Sequence, residues 1–154
     1  MTRELEAICE EVDELMKLDM DGEAIVLLRT AISAYPDEPI LYEGMGNAFV
    51  NLKMGKEAYD AYMLAHIMCP EDIDVITGLA NACLTMGHLD EAERYIDLAD
   101  ELDPENVDAR LSRGYLYEAR GWHKDASRFY AEMLKKDPDN LYAVSYTHLT
   151  LPTN

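Results

Sequence analysis

The 154 residues predict an all-α solenoid built from about four stacked hairpins of antiparallel helices. Four in-phase series carry that reading. Pro36, Pro70, Pro104 and Pro138 recur every 34 residues, and Ala24, Ala58, Ala92 and Ala126 keep the same interval. A bulky apolar series, Leu28, Tyr62, Ile96 and Tyr130, shares the phase. So do Ala31, Ala65 and Ala99, with Met133 in the fourth place. A fixed period of this size marks a repeat architecture, in which each unit buries its apolar face only against its neighbours.

The phase divides the chain into units at residues 5–38, 39–72, 73–106 and 107–140, with 141–143 opening a fifth. The third unit shows the internal plan most plainly. Val75, Ile76, Leu79, Cys83 and Leu84 are spaced for one face of a helix. Gly87 can adopt the positive φ that closes it. Leu89, Ala92, Ile96 and Ala99 line a second helix, and Asp103-Pro104 ends it, because proline lacks an amide donor and restrains the residue before it. Two such helices joined by a short turn form a hairpin. The repeated alanines allow helix axes to approach closely, with Ala24, Ala58, Ala92 and Ala126 expected within each hairpin. Ala31, Ala65 and Ala99 are expected where a second helix meets the next unit.

Over roughly residues 5–138 these units resemble the tetratricopeptide repeat family. The second unit carries its pattern as Tyr42, Met45, Gly46, Phe49, Ala58, Tyr62, Ala65 and Pro70. The third carries Ile76, Leu79, Ala80, Cys83, Ala92, Ile96, Ala99 and Pro104. The fourth keeps Gly114, Tyr117, Ala126, Tyr130 and Pro138 but has Arg110 and Arg113 at usually apolar places. The first unit is the most divergent, with Glu11 and Val12 where leucine-glycine is usual. Gly87 and Gly121 stand at the usual turn position, whereas Gly22 and Gly55 fall three and two residues late. Displaced turns and slightly longer first helices are therefore expected in the first two units. The resemblance implies a right-handed superhelix whose first helices line a concave groove. Gly46, Ala80 and Gly114 are its small packing positions.

Charge and composition exclude several functions. The chain holds 13 Lys and Arg against 31 Asp and Glu, a net charge of −18, which disfavours a nucleic-acid backbone or an anionic membrane as partner. No apolar run is long enough to span a bilayer, and the start has none of the features of a secretory signal. Cys9, Cys69 and Cys83 lack metal or redox spacing and read as free thiols, which points to a cytoplasmic address. No nucleotide-loop, zinc-protease, hydrolase-elbow or calcium-loop motif occurs. His66 and Cys69 share a helix face, yet nothing completes a zinc set. No enzyme activity, cofactor or metal is expected.

Residues 144–154 carry no charge in a chain that is 29% charged, and they break the repeat. The segment resembles the translated read-through of a transposase-based sequencing adapter. A non-native tail replacing the rest of a fifth repeat is the expectation; a polar, β-prone terminus is the alternative. In either case His148 and Thr150 receive no role. Loss of a capping repeat would expose Met133, Leu134, Leu141 and Tyr142 as a self-associating end.

The family's groove positions fall on Glu6, Cys9, Asp13, Met16 and Lys17 in the first unit and Ile40, Glu43, Asn47, Val50 and Asn51 in the second. They fall on Asp74, Thr77, Asn81, Leu84 and Thr85 in the third, and on Asp108, Leu111, Tyr115, Glu118 and Ala119 in the fourth. The resemblance implies that Asn47 and Asn81 grip a peptide backbone, against the plainer reading of exposed or internally bonded polar residues. Lysines and arginines that clamp a terminal carboxylate in some relatives are replaced by Cys9, Glu43, Thr77 and Leu111, which argues against a chaperone-tail receptor. Between Glu57 and Asp108 fourteen acids face a single base, Arg94. Such a run is a solvated helix face or a surface that steers a basic segment. Arg110 to Lys136 holds seven bases and three acids.

The functional expectation is a non-enzymatic scaffold that holds a peptide or helix, basic or amphipathic, in its groove. The alternatives are the N-terminal repeats of a larger enzyme or regulator, or a self-associating assembly element.

Overall fold

The computed structural model describes residues 1–140 together with Ala143 and Val144. Eight helices follow one another in the described residues: α1 (Arg3–Lys17), α2 (Asp21–Ala34), α3 (Pro39–Asn51), α4 (Gly55–Met68), α5 (Ile73–Met86), α6 (Leu89–Leu102), α7 (Val107–Ala119) and α8 (His123–Lys136). They pair as the four hairpins that the period predicts. Consecutive helices pack in chain order, and α1, α3, α5 and α7 also touch in succession, so the odd-numbered helices form one continuous layer. No described helix is long and apolar enough to cross a membrane.

Each odd helix has an identifiable start. The hydroxyl of Thr2 accepts from Leu5 N–H at 3.2 Å, the Asp72 carboxylate from Asp74 N–H, and Asn106 from Ala109 N–H at 2.9 Å. These are N-cap bonds that satisfy otherwise orphaned amides. The α3 helix instead opens on Pro39, whose fixed φ suits the first turn. Asn140 repeats the Asn106 cap one period later, accepting from Ala143 N–H at 3.1 Å.

The four hairpin turns are one motif. Asp19, Lys53, Gly87 and Gly121, spaced by 34 residues, all have positive φ, between 57° and 76°. The residue after each donates back to Leu15, Phe49, Cys83 and Tyr117, every time at 2.9 Å. This is the Schellman closure of a helix C-terminus. The expected displacement of the first two turns is therefore wrong. Closing the hairpin requires a left-handed residue at that position whatever its side chain, and Asp19 and Lys53 adopt the conformation that glycine adopts later. The α3 helix is correspondingly no longer than its counterparts, at 13 residues; only α1, with 15, is extended. Gly55 serves a different purpose: a Cβ there would lie 2.7 Å from Met86 and 3.2 Å from the Ala82 carbonyl, so it admits α5 beside the start of α4.

The core lies between the two layers. Ala24, Ala58, Ala92 and Ala126 are completely buried, as are Ala65, Ala80 and Ala99. Two tyrosines act as wedges. The Tyr62 ring occupies the space that side chains at Gly46 and Gly78 would need, where added Cβ atoms would come within 2.5 Å of it. Tyr130 fills the equivalent space beside Gly114.

Arg110 and Arg113, unexpected at apolar places, have specific partners. The Arg110 guanidinium lies over the Phe129 ring at 5.4 Å. Arg113 spans to α6, pairing with Asp97 at 2.7 Å and with Asp100. Arg120 pairs with Asp90 and Glu93 of the same helix, and Lys136 with Glu105. Much of the basic stretch is thus spent on binding acids of the preceding unit. Met133, expected at an exposed end, is buried with Leu111, Tyr130 and Ala143. Leu141, Tyr142 and residues 145–154 lie outside the described residues.

Candidate functional site

A trough runs along the odd-helix layer. Its central cavity, about 410 Å³, is lined by Glu43 and Asn47 of α3, Tyr62 of α4, Asp74, Thr77, Gly78 and Asn81 of α5, and Asp108, Leu111, Ser112 and Tyr115 of α7. A smaller cavity of about 160 Å³ adjoins it toward α1, lined by Cys9, Val12, Asp13, Leu28, Ile40, Gly44, Glu43 and Asn47. Glu43 and Asn47 are common to both and form the wall between them.

Eleven residues taken from the repeat register line this trough: Cys9, Asp13, Ile40, Glu43, Asn47, Asp74, Thr77, Asn81, Asp108, Leu111 and Tyr115. Asn51, Val50 and Leu84 are placed elsewhere. Asn51 donates from Nδ2 to the carboxylate of buried Asp21 at 2.8 Å, fastening the end of α3 to the start of α2. Val50 packs on the core around Phe49 and Ala58. Leu84 packs on Ala80, Ile96 and Leu116. Each sits near the C-terminal end of its helix, beside the hairpin turn, where Val50 and Leu84 are half-buried and Asn51 stays exposed with its amide tied to Asp21.

Tyr62, Gly78 and Ser112 line the cavity although register reading did not select them. A signal for two of them exists: Gly44, Gly78 and Ser112 are small residues one period apart. Their smallness recesses the wall between successive helices. Tyr62 reads as a core residue from sequence, and it is one by burial; only its hydroxyl edge reaches the trough.

Hydrogen bonds engage both asparagines. Tyr62 donates from its hydroxyl to Asn47 Oδ1 at 2.6 Å, which leaves the Asn47 NH2 group to the cavity. Asn81 is held beside Ser112, whose Oγ lies 2.8 Å from Asn81 Oδ1 and 3.0 Å from the Asp108 carbonyl and has one proton for the two. Thr77 is consumed by its own helix, donating to the Ile73 carbonyl at 2.7 Å.

The electrostatics are one-sided. Glu43, Asp74 and Asp108 enter the central cavity from three successive helices, and no Lys, Arg or His is among its lining residues. Burial pushes the Glu43 carboxyl up to about 7, with Asp72, Asp74 and Asp13 adding repulsion. Asp74 is raised by burial and by Asp72 and Asp108. Burial and the Glu43 charge also raise the Tyr62 hydroxyl, so it remains a donor. These are the two ordinary causes of a raised carboxylate acting together. Chemically the trough offers anions and side-chain amides, with Leu111 and Tyr115 as apolar walls. No group of three or more His, Cys, Asp or Glu among the described residues is placed to hold a metal ion.

Residues 73–106 match the family model for a tetratricopeptide repeat. No curated protein sequence matches the chain. Solved structures do. The first tetratricopeptide domain of the human RPAP3 protein is 21% identical over 77% of this chain and 93% of that one, with a TM-score of 0.70. The first such domain of Spaghetti, bound to the HSP90 peptide SRMEEVD, is 22% identical over 75% and 91%, with a TM-score of 0.69. The protein TTC0263 of Thermus thermophilus is 16% identical over 95% and 99%, with a TM-score of 0.73. At these identities the likeness is one of fold.

Proposed function

We propose that this chain, folded as an array of tetratricopeptide repeats, is a non-enzymatic interaction module that holds a peptide or helix of a partner protein along its odd-helix trough. The observation that carries this reading is the trough itself. It extends over α1, α3, α5 and α7, and its two asparagines are held in place by Tyr62 and Ser112. Side-chain amides one repeat apart suit the C=O and N–H groups of an extended backbone, which recur along a chain irrespective of its sequence. The fold likeness to a domain solved with the peptide SRMEEVD supports peptide binding as a use of this architecture.

The partner is basic or amphipathic. SRMEEVD carries acids at three of its seven positions, and Glu43, Asp74 and Asp108 would repel them. Like charges facing each other across an interface select against a partner more strongly than rim contacts select for one.

Selection of displayed random dodecapeptides on the folded chain tests the reading. Binders are expected, and Asn47→Ala with Asn81→Ala should weaken them at least tenfold while the helical circular dichroism stays unchanged. SRMEEVD added in excess should not compete. A selection that yields no binder, or binders indifferent to both asparagines, would overturn the reading.

A further inference from the structure

Among the described residues the acids of the central cavity have no basic counter-ion, and the placement of the nearby arginines shows why. The nearest bases, Arg110 and Arg113 of α7 and Arg120 at its C-cap, are committed away from the cavity. Arg110 is stacked on Phe129, Arg113 is held by Asp97 and Asp100, and Arg120 by Asp90 and Glu93. Asp74 and Asp108 stand one period apart, on equivalent places of adjacent helices, and Glu43 joins them from α3. Their repulsion is therefore maintained by the fold, since Arg113 and Arg120 are bound to acids of α6 and Arg110 lies on Phe129 of α8. A cation supplied from outside relieves it.

The spacing of the acids decides which kind of cation. They are not clustered closely enough to ligate one metal ion, whereas a cavity of about 410 Å³ has room for an organic cation. A planar guanidinium presents five N–H donors around its rim and engages carboxylates lying in different directions. The remaining walls suit its stem, because Leu111 and Tyr115 supply apolar surface along which methylenes can lie.

We propose that the central cavity is a pocket for one cationic side chain of the bound segment, arginine in preference to lysine, received between Glu43, Asp74 and Asp108. The proposal rests on the peptide-binding reading above and adds to it the position and chemistry of the recognised side chain. It makes the backbone-binding asparagines a sequence-tolerant rail and the three acids the source of selectivity. The raised Glu43 carboxyl agrees with this assignment: a bound guanidinium would hold it ionised, and binding near neutral pH would release a proton.

The test uses dodecapeptides from the selection described above, synthesised with a fluorophore and read by anisotropy against the full chain. In each binder every arginine is replaced singly by citrulline, which keeps the shape and removes the charge. One arginine is expected to dominate, with a loss of tenfold or more on its replacement. Glu43→Gln, Asp74→Asn and Asp108→Asn should each weaken the arginine peptide several-fold while leaving the citrulline peptide nearly unchanged. These near-isosteric changes remove repulsion, so thermal melts should show the variants folded. Binders that depend on Asn47 and Asn81 but tolerate citrulline at every position would overturn the pocket and leave the peptide-binding reading standing. Failure to obtain any trough binder would overturn both.

Discussion

Lys53 bears a conformational cost that its equivalents at Gly87 and Gly121 avoid. Its φ of 61° is forced by the hairpin closure, and the same bonds form there as in the glycine turns. A left-handed conformation costs an ordinary residue about 1–2 kcal/mol, part of which glycine returns through the larger entropy of its unfolded chain. Lys53→Gly should therefore stabilise the protein by about 0.5–1 kcal/mol, measured by urea unfolding. Gly87→Ala should destabilise it by about 1 kcal/mol, because no neighbour lies within 4 Å and backbone conformation alone is at stake. Equal stability of Lys53→Gly and wild type would show that local contacts of the lysine offset the strain. This position also marks a limit of reading the chain residue by residue. Glycines at 22 and 55 suggest late turns in the first two units, yet the turn is placed by the geometry of two packed helices, and Asp19 and Lys53 comply.

Glycines within the helices answer to packing between elements. Gly46 in α3 and Gly78 in α5 both face the Tyr62 ring of α4, which fills the gap between adjacent first helices. Gly46→Ala would drive a methyl group into that ring and should cost about 1–3 kcal/mol, the usual range for overpacking. Gly22→Ala is the informative control: it lies in the first turn of α2 with nothing within 4 Å. Its expected effect is a stabilisation of about 0.5–1 kcal/mol from helix propensity. Paired melts of the two variants check both signs. The wedge also joins packing to the trough, since the hydroxyl of the same tyrosine holds Asn47. The period marks Tyr62 as a repeat-core residue, and burial agrees; that its other end orients a groove amide depends on the distance between α3 and α4, for which sequence spacing has no signal.

For the molecule as a whole, charge links stability to binding. Glu43 has a folded-state pKa of about 7 against an ordinary value near 4.5, so between those limits the folded chain holds a proton that the unfolded chain has released. Folding stability from this group is therefore full at low pH and is lost as pH rises through about 7. Asp13, Asp72, Asp74 and Asp108 face the same region and sustain the effect. Each pK unit corresponds to 1.36 kcal/mol, and screening of the partly solvated carboxyl reduces the expected total to about 1–2 kcal/mol. Glu43→Gln should thus match wild type near pH 5 and exceed its stability by about 1–2 kcal/mol at pH 8, by denaturant unfolding at each pH. A pH-independent difference would place the Glu43 ionisation outside the folding equilibrium. Unit length, the pairing of helices into hairpins, the buried alanines and eleven residues of the trough are legible in the sequence, because all of these repeat with the period and the period is set by how one unit stacks on the next. Tertiary contacts alone settle that Val50 and Leu84 pack on the core while Asn51 ties to Asp21, that Arg113 and Arg120 are spent on α6, and that the cavity acids have no counter-ion among the described residues. Those outcomes depend on which side chains from different units come within a few ångströms, and a repeat register fixes a residue's face without fixing its partner.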